Sequence, residues 1–181
     1  MRILGVDPGS VVCGFGVVEG LGRRYVTAGT IRCASLAPGP ERLRHIHEGL
    51  LAIIDEFSPV ALSLERHFVA ANVQSAFRLG EARAMAMLAA AERDLAIFEY
   101  PPNEVKLCVA GHGHADKAQV KYMVRKTLTL DEDVDLADDA ADALALALCH
   151  LGRGRIPNVV EAIDRFRPRT LGPSKPRMVP Q

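Results

Sequence analysis

The chain has 181 residues, 49% of them hydrophobic, and its 22 basic residues balance 22 acidic ones. This length fits one domain with a single core. The longest apolar run, Ala84 to Ala91, is far shorter than the roughly 20 residues of a membrane helix, so a soluble protein without a membrane span is expected.

The first half of the chain predicts three strands, a helix and a fourth strand. Residues 2–6, 13–19 and 25–32 are β-branched and partly alternating, which is typical of an antiparallel meander joined by tight turns. Residues 40–57 repeat apolar side chains at helical spacing, and Ser58-Pro59 should end that helix. Residues 60–64 (VALSL) then predict a strand that ends beside Glu65.

The second half alternates helices with one more strand. A long helix capped by Asn72 should run to about residue 93, followed by a strand over 95–99 and helices from Pro101-Pro102 and over 116–128. An Asp-rich helix lies within 134–151. The expected fold is α/β, with a mixed five-stranded sheet flanked by helices. Residues 1–152 should form the domain, and 153–181 a flexible, basic, Pro-rich tail.

Two further expectations concern location and cysteine chemistry. A strand-like stretch follows Met1 directly, without the basic start and cleavage site of a signal peptide, which favours the cytoplasm. The four cysteines lack CxxC spacing, so buried reduced thiols are expected rather than disulfides or a zinc site.

Carboxylates stand where an α/β sheet places its functional sites. Asp7 and Glu65 each follow a predicted strand, and clefts form at the carboxyl ends of strands in such sheets. On the last helix Asp139 and Asp142 are three positions apart and therefore share a face. Simpler roles remain open, because Asp7 could be a turn residue before Pro-Gly and Asp138 could cap the helix.

Four clustered carboxylates would repel one another strongly without cations between them. Carboxylate oxygens are ligands that Mg²⁺ and Mn²⁺ prefer, and two such ions can activate water and stabilise the leaving oxygen of a phosphodiester. Outside the tail the chain has 15 basic and 20 acidic residues, and bound ions would offset most of this surplus. The pattern therefore predicts bound divalent metal ions at this site.

Several motifs together resemble the RuvC family of bacterial Holliday-junction resolvases. They are GVDPGS at residues 5–10, LE at 64–65 with FVAAN at 68–72, FEY at 98–100 and DAADAL at 139–144. The resemblance covers residues 1–151 and implies an RNase H-like fold with two Mg²⁺ or Mn²⁺ ions per active site. It further implies an endonuclease that nicks two opposing strands of a four-way DNA junction in recombination and repair.

The resemblance also implies roles for individual residues. The family's catalytic, metal-binding acids fall on Asp7, Glu65, Asp139 and Asp142. This chain departs from the family pattern at Asp138, where a small residue is usual, so Asp138 could share the role of Asp139.

DNA-binding residues are expected on both sides of these acids. The family's active-site lysines fall on Lys106 and Lys117, within a basic stretch that is typical of a phosphate track. Lys121 and Arg125 extend the track, although they could instead belong to a solvated helix face. Phe68 occupies the position of a family aromatic that interacts with bases at the crossover, although it could be a core residue. Spacing does not decide whether Arg66, Arg78 and Arg83 contact phosphate or pair with acids.

A homodimer is expected because a junction is cut at two symmetry-related strands and one chain offers a single set of acids. The small-residue face of the helix around Ala82, Ala86 and Ala90 could pack on its twin or on the sheet. The resemblance implies cooperation with the RuvA and RuvB branch-migration proteins, and the tail could serve that contact.

Three other interpretations remain open. The GVDPGS loop is similar to the phosphate-binding turn of sugar-kinase and actin-like ATPases, which need two such domains. The shorter YqgF-type RNA-processing nucleases share the fold and the acids. A non-catalytic DNA-binding module is a third class, but it would not need four converging acids.

Overall fold

The computed structural model describes residues 1–9, 11–20, 22–33, 39–66 and 73–154. The expected cap at Asn72, the aromatic Phe68 and all of the tail beyond residue 154 lie outside these ranges. Within them, no helix has both the length and the apolar character needed to cross a bilayer.

A mixed five-stranded sheet forms the centre of the fold. Its strands are β1 (Arg2–Asp7), β2 (Val12–Glu19), β3 (Arg24–Arg32), β4 (Ala61–Glu65) and β5 (Ala96–Tyr100). Their spatial order is β3-β2-β1-β4-β5. The first three strands pair antiparallel, whereas β4 is parallel to β1 and β5 is parallel to β4. The carboxyl ends of β1, β4 and β5 therefore lie at one edge of the sheet.

Helices cover both faces of the sheet. They are α1 (Pro40–Phe57), α2 (Val73–Ala91), α3 (Pro102–Ala110), α4 (Lys117–Thr127) and α5 (Asp138–Gly152). On β1, Leu4 and Val6 pack with α1 and α2, whereas Ile3 packs with α3, α4 and α5. Because side chains alternate along a strand, Asp7 faces the same side as Ile3, toward α5. Glu65 faces that side as well, since Ser63 donates to the Leu146 carbonyl of α5 at 2.8 Å.

Glycines let α5 lie unusually close to the sheet. A Cβ atom at Gly5 would overlap the carbonyl oxygen of Ala143, and one at Gly14 would overlap the carbonyl oxygen of Asp139. From Ala143 to Leu151 every residue of the helix is buried. The position of α5, and with it the position of its acids, is therefore set by backbone contact with β1 and β2.

The expected fold class is confirmed, and the predicted elements agree with the observed ones within one or two residues at most ends. Three local interpretations are decided by the structure. Ala137, not Asp138, is the N-cap of α5, and no side chain caps this helix. Ala82, Ala86 and Ala90 are buried in a core cluster with α1 and the sheet, so this face is not free to pack on a twin.

The third interpretation that the structure decides is the state of the cysteines. All four are free thiols, and Cys13, Cys33 and Cys149 are buried as expected. The expectation is wrong for Cys108, which is exposed. In α3 the buried positions are Val105 and Val109, so Cys108 lies on the outer part of the helix surface.

Candidate active site

Three of the four predicted acids line one cleft at the carboxyl edge of the parallel strands. The cleft has a volume of about 370 Å³, and Asp7, Glu65 and Asp142 line it together with Lys106 and Lys117. The acids come from the ends of β1 and β4 and from the first turns of α5, and the lysines come from α3 and α4. Residues more than 130 positions apart in sequence thus share one cavity.

The carboxyl group of Asp7 is affected by burial and by neighbouring charges. Burial raises the pKa of Asp7 from 3.8 to about 7, with further contributions from the charges of Asp142, Glu65 and Asp139, while Lys117 opposes the shift. Asp139 does not line the cleft itself, but its charge acts on Asp7 and on Lys117. The four predicted acids therefore form one interacting group.

Lys117 supplies a cation at the mouth of the cleft. Its Nζ donates to Asp142 Oδ2 at 3.0 Å, and this hydrogen bond raises the pKa of the Lys117 ammonium. Lys117 opens α4, whose start is fixed by a capping box between Asp116 and Gln119. The Lys117 side chain is 77% exposed, so it can leave Asp142 at little cost and contact a bound phosphate.

Asp138 does not line the cleft, although it shares an adjoining depression with Asp142 and Lys117. Its side chain is 73% exposed and accepts a hydrogen bond from Lys121 Nζ at 2.7 Å, which lowers the pKa of the Asp138 carboxyl. Asp138 is not among the groups that raise the pKa of Asp7, whereas Asp139 is. The geometry therefore favours Asp139 over Asp138 as the fourth acid of the site.

The remaining predicted DNA-binding residues have different surroundings. Lys106 is half-buried in the wall of the cleft, and Lys121 lines a shallower depression beside it with Lys117. Arg125 donates to the carbonyl of Val134 at 2.9 Å and to the carbonyl of Asp131. Arg125 thus holds the connection between α4 and α5, a structural role that competes with the predicted DNA contact.

The donor set of the cleft fits a hard divalent cation. Every acidic ligand candidate offers carboxylate oxygens only, and burial, followed by the charges of the neighbouring acids, raises the pKa of Asp7. Within the described ranges, no three His, Cys, Asp or Glu side chains are arranged so that they could hold an ion as they stand. Binding would therefore require rotation of the carboxylates and release of Asp142 from Lys117.

Two features that position this site were missed by sequence reasoning. The contacts of Gly5 and Gly14 with α5 decide how deeply the helix acids enter the cleft. The alternation of Gly14 and Gly16 in β2 was the available signal, because glycine inside a strand indicates close approach of another backbone. Arg83, which donates to the Glu65 carbonyl at 2.6 Å, had no distinguishing signal in the sequence.

Fold and site together define an RNase H-like nuclease, and comparison with known proteins specifies the family. Residues 3–150 match the family described as Crossover junction endodeoxyribonuclease RuvC. This chain belongs to the RuvC family, whose members are metal-dependent nucleases acting on DNA. The RuvC-type identification made from sequence motifs is confirmed, and the RNA-processing alternative is not favoured.

Individual relatives agree over nearly the whole chain. The crossover junction endodeoxyribonuclease RuvC of Thermotoga petrophila is 43% identical over 161 residues, which are 88% of this chain and 97% of that protein. The one of Frankia alni is 46% identical over 182 residues, covering 97% of this chain and 92% of the relative.

Solved structures agree as well. T. thermophilus RuvC in complex with Holliday junction substrate has a TM-score of 0.80 and 35% identity, covering 86% of this chain and 95% of that one. The yeast mitochondrial Holliday junction resolvase Ydc2 shares the fold, with a TM-score of 0.58 at 12% identity, covering 91% of this chain and 82% of that one.

Proposed function

We propose that this protein is a structure-selective endonuclease that resolves four-way DNA junctions by paired symmetric nicks in homologous recombination and repair. Family membership supports the substrate, since one similar solved structure is described as a complex with Holliday junction substrate. The observation that carries the chemistry is the convergence of Asp7, Glu65 and Asp142 on one cleft walled by two lysines.

Asp7, Glu65, Asp139 and Asp142 are the proposed catalytic residues, which hold two Mg²⁺ or Mn²⁺ ions. Such ions, when bound, activate water and neutralise the charge that develops on the oxygens of a phosphodiester. The acids provide the hard oxygen ligands, and the chain rather than the ions fixes where these ligands lie. Burial and mutual repulsion hold the pKa of Asp7 near 7, so this group gains most from a nearby cation.

The two lysines of the cleft orient the scissile phosphate. Lys106 stands on α3 and Lys117 on α4, so a phosphate entering the cleft meets a cation from each helix and the acids beneath them. The Lys117 ammonium is paired with Asp142. When it contacts the phosphate instead, an Asp142 oxygen becomes free to bind a metal ion. Binding of DNA and ordering of the acids are thereby coupled through one side chain.

Further DNA contacts extend from this cleft. Lys121 continues the cationic surface of α4 from Lys117, and its partner Asp138 is exposed enough for the pair to open. Phe68, three positions after Glu65 in the chain, is the proposed base-stacking residue. Arg125 remains a proposed contact, although its hydrogen bonds to backbone carbonyls favour a structural role.

The protein is proposed to act as a homodimer through the outer face of α2. On this helix Val73 and Phe77 are each 70% exposed and Leu88 is 45% exposed. These residues lie at spacings of four and eleven positions, which places them on one stripe of an α-helix opposite the buried alanines. A twofold contact along this stripe would bury it and supply the second active site that a junction requires.

The proposal also covers the roles of the domain and the tail and the location of the protein in the cell. Residues 1–152 form the nuclease domain, and the basic tail 153–181 adds DNA affinity or contacts the RuvA–RuvB branch-migration complex. A bacterial, cytoplasmic location follows from this role.

One assay tests the proposal. End-labelled four-way junction, linear duplex of the same sequence and structured RNA are incubated with the protein, with and without Mg²⁺ or Mn²⁺. We expect symmetric nicks in the junction only with divalent ion, and little cleavage of the other substrates. Preferential cleavage of RNA, or cleavage of junction without divalent ion, would overturn the proposal.

A further inference from the structure

Arg83 of α2 connects the ends of two parallel strands behind the cleft. Its Nη1 donates to the backbone carbonyl oxygen of Glu65 at 2.6 Å, and its Nη2 forms an ion pair with Glu99 of β5. The side chain of Arg83 is 20% exposed and that of Glu99 is 31% exposed, so both interactions are partly shielded from bulk water. Arg83 is absent from the residues that line the cleft.

The alternation of side chains explains why Arg83 reaches this position. Ile97 packs with α1 and α2, and Glu99, two residues later on β5, faces the same side of the sheet. The carboxylate of Glu99 thus points toward α2, away from the catalytic acids, and orients the guanidinium of Arg83. Arg66 Nε approaches the same carboxylate at 3.8 Å, which adds a second cation to this cluster.

Both polar groups of the peptide that links Glu65 to Arg66 are consequently hydrogen-bonded. Arg83 binds the carbonyl oxygen, and the next amide, of Arg66, donates to Tyr100 of β5 at 2.8 Å. Rotation of this peptide about the Cα–C bond of Glu65 would change the backbone geometry from which the Glu65 side chain branches, and so would alter the direction of its carboxylate. A charge-assisted hydrogen bond to the carbonyl resists that rotation more strongly than a neutral one.

We propose that Arg83 is a positioning residue of the active site: with Glu99 it fixes the peptide of Glu65 and thereby aims the Glu65 carboxylate at the bound cations. This inference rests on the proposed role of Glu65 as a metal ligand. Groups that orient a ligand without touching the metal contribute about 10- to 100-fold in affinity or activity in other metal sites.

The first test measures binding of Mn²⁺ to the full chain by titration calorimetry without DNA. We expect Arg83→Ala to weaken Mn²⁺ affinity about 10-fold, and Arg83→Lys to recover part of the loss because an ammonium still reaches the carbonyl. Glu99→Gln should weaken affinity in the same direction but less. Arg93→Ala is the matched control. Arg93 lies just after the end of α2 and forms a bidentate ion pair with Asp55, far from Glu65.

The second test separates positioning from DNA contact. At saturating junction concentration, single-turnover cleavage by Arg83→Ala should slow about 10-fold or more, while its Kd for the junction stays unchanged. Arg93→Ala should change neither the cleavage rate nor the Kd. Equal Mn²⁺ affinity in Arg83→Ala and Arg93→Ala, or a defect confined to the junction Kd, would overturn the inference.

Failure of this inference can be distinguished from failure of the proposed function. If the wild-type chain binds Mn²⁺ but does not cut junctions, the proposed function fails, and the Mn²⁺ comparison still decides the role of Arg83. If Arg83→Ala does not fold, Arg83→Lys and Glu99→Gln decide it, and unchanged Mn²⁺ affinity in both would overturn the inference.

Discussion

Gly14 of β2 lies directly against the backbone of Asp139, so closely that any Cβ atom at this position would overlap the Asp139 carbonyl oxygen. An acid of the proposed site is therefore placed by a residue without a side chain, seven positions after Asp7 in the sequence. Because Asp139 lies in the first turn of α5, displacement of this turn moves Asp142 as well.

Gly14→Ala should separate the first turn of α5 from the sheet. We expect a loss of about 1 to 3 kcal/mol in the free energy of unfolding, since the added methyl group meets the backbone of Asp139. Cleavage should fall more than this stability loss explains, because Asp139 and Asp142 move together. Urea unfolding and junction cleavage measure both effects. Gly22→Ala is the control, because none of the residues described in the structure places an atom within 4 Å of a Cβ there.

Asp7→Asn should stabilise the metal-free protein at neutral and alkaline pH. The pKa of Asp7 in the folded protein is about 7, compared with 3.8 for the ordinary group, so the folded state binds more protons between these values. Stability from this group is therefore present below about pH 4 and is lost as pH rises through 7. Asn does not titrate and avoids that loss, by on the order of 2 kcal/mol at pH 8.

Urea unfolding at pH 5 and pH 8 in the presence of a chelator measures this effect. The advantage of Asp7→Asn over wild type should grow between the two pH values. Asp138→Asn should show no such gain, because the Asp138 carboxyl is paired with Lys121 and its pKa is lowered. An Asp7→Asn advantage that is the same at both pH values would contradict the electrostatic explanation.

The acid-to-amide variants Asp7→Asn, Glu65→Gln and Asp142→Asn should each abolish metal-dependent nicking of a four-way junction. Binding should stay near normal or become tighter, since each change removes a negative charge beside the phosphate. Gel-shift and cleavage assays on the same preparations separate the two. Asp138→Asn should be mild and Asp139→Asn severe; equal damage from both would overturn the assignment of Asp139 rather than Asp138 as the fourth acid.

The lysines and Arg125 should differ in the salt dependence of junction binding. Lys117→Ala and Lys121→Ala should each lower the slope of log affinity against log salt by about 1, if each side chain contacts a phosphate. Arg125→Ala should leave the slope unchanged and lower stability instead, because Arg125 binds the carbonyls of Asp131 and Val134. A reduced slope for Arg125→Ala at normal stability would restore its predicted DNA contact.

Phe77→Asp should convert a dimer into a monomer. Phe77 is 70% exposed on α2, so the folded monomer tolerates a charge there, whereas a twofold apolar contact does not. Light scattering with and without junction DNA measures the mass. Arg78 is also exposed and follows Phe77, but it lies outside the apolar stripe, so Arg78→Asp should leave the mass unchanged. A monomeric wild type in both conditions would remove the basis of the proposal.

Most of the fold could be predicted because the periodic patterns are strong. The helix over residues 40–57 was predicted with its observed bounds, since its apolar spacing is regular and Pro follows its end. The placement of Asp7 and Glu65 at one edge followed from their positions after strands, and the cleft contains both. The spacing of three on one helix predicted that Asp139 and Asp142 project together, but only Asp142 lines the cleft.

The parts that could not be predicted depend on partners distant in sequence. Asp138 and Asp139 are adjacent and chemically identical, and only the position of Lys121 on α4 shows why one pairs outward. Arg83 and Arg78 are similar in the sequence, but the register of β5 brings Glu99 to Arg83. Short-range periodicity contains no information about either pairing.

β1 occupies the middle of the sheet, with β2 hydrogen-bonded on one side and β4 on the other. Its amides should exchange with solvent only when the entire domain opens, whereas β5, among the strands that the structure describes, pairs with β4 alone. Gentle heating should therefore loosen the Glu65 side of the cleft before Asp7 is disturbed. Enzyme kept near its melting range would lose catalysis first and regain it on cooling, while the central strand stays intact.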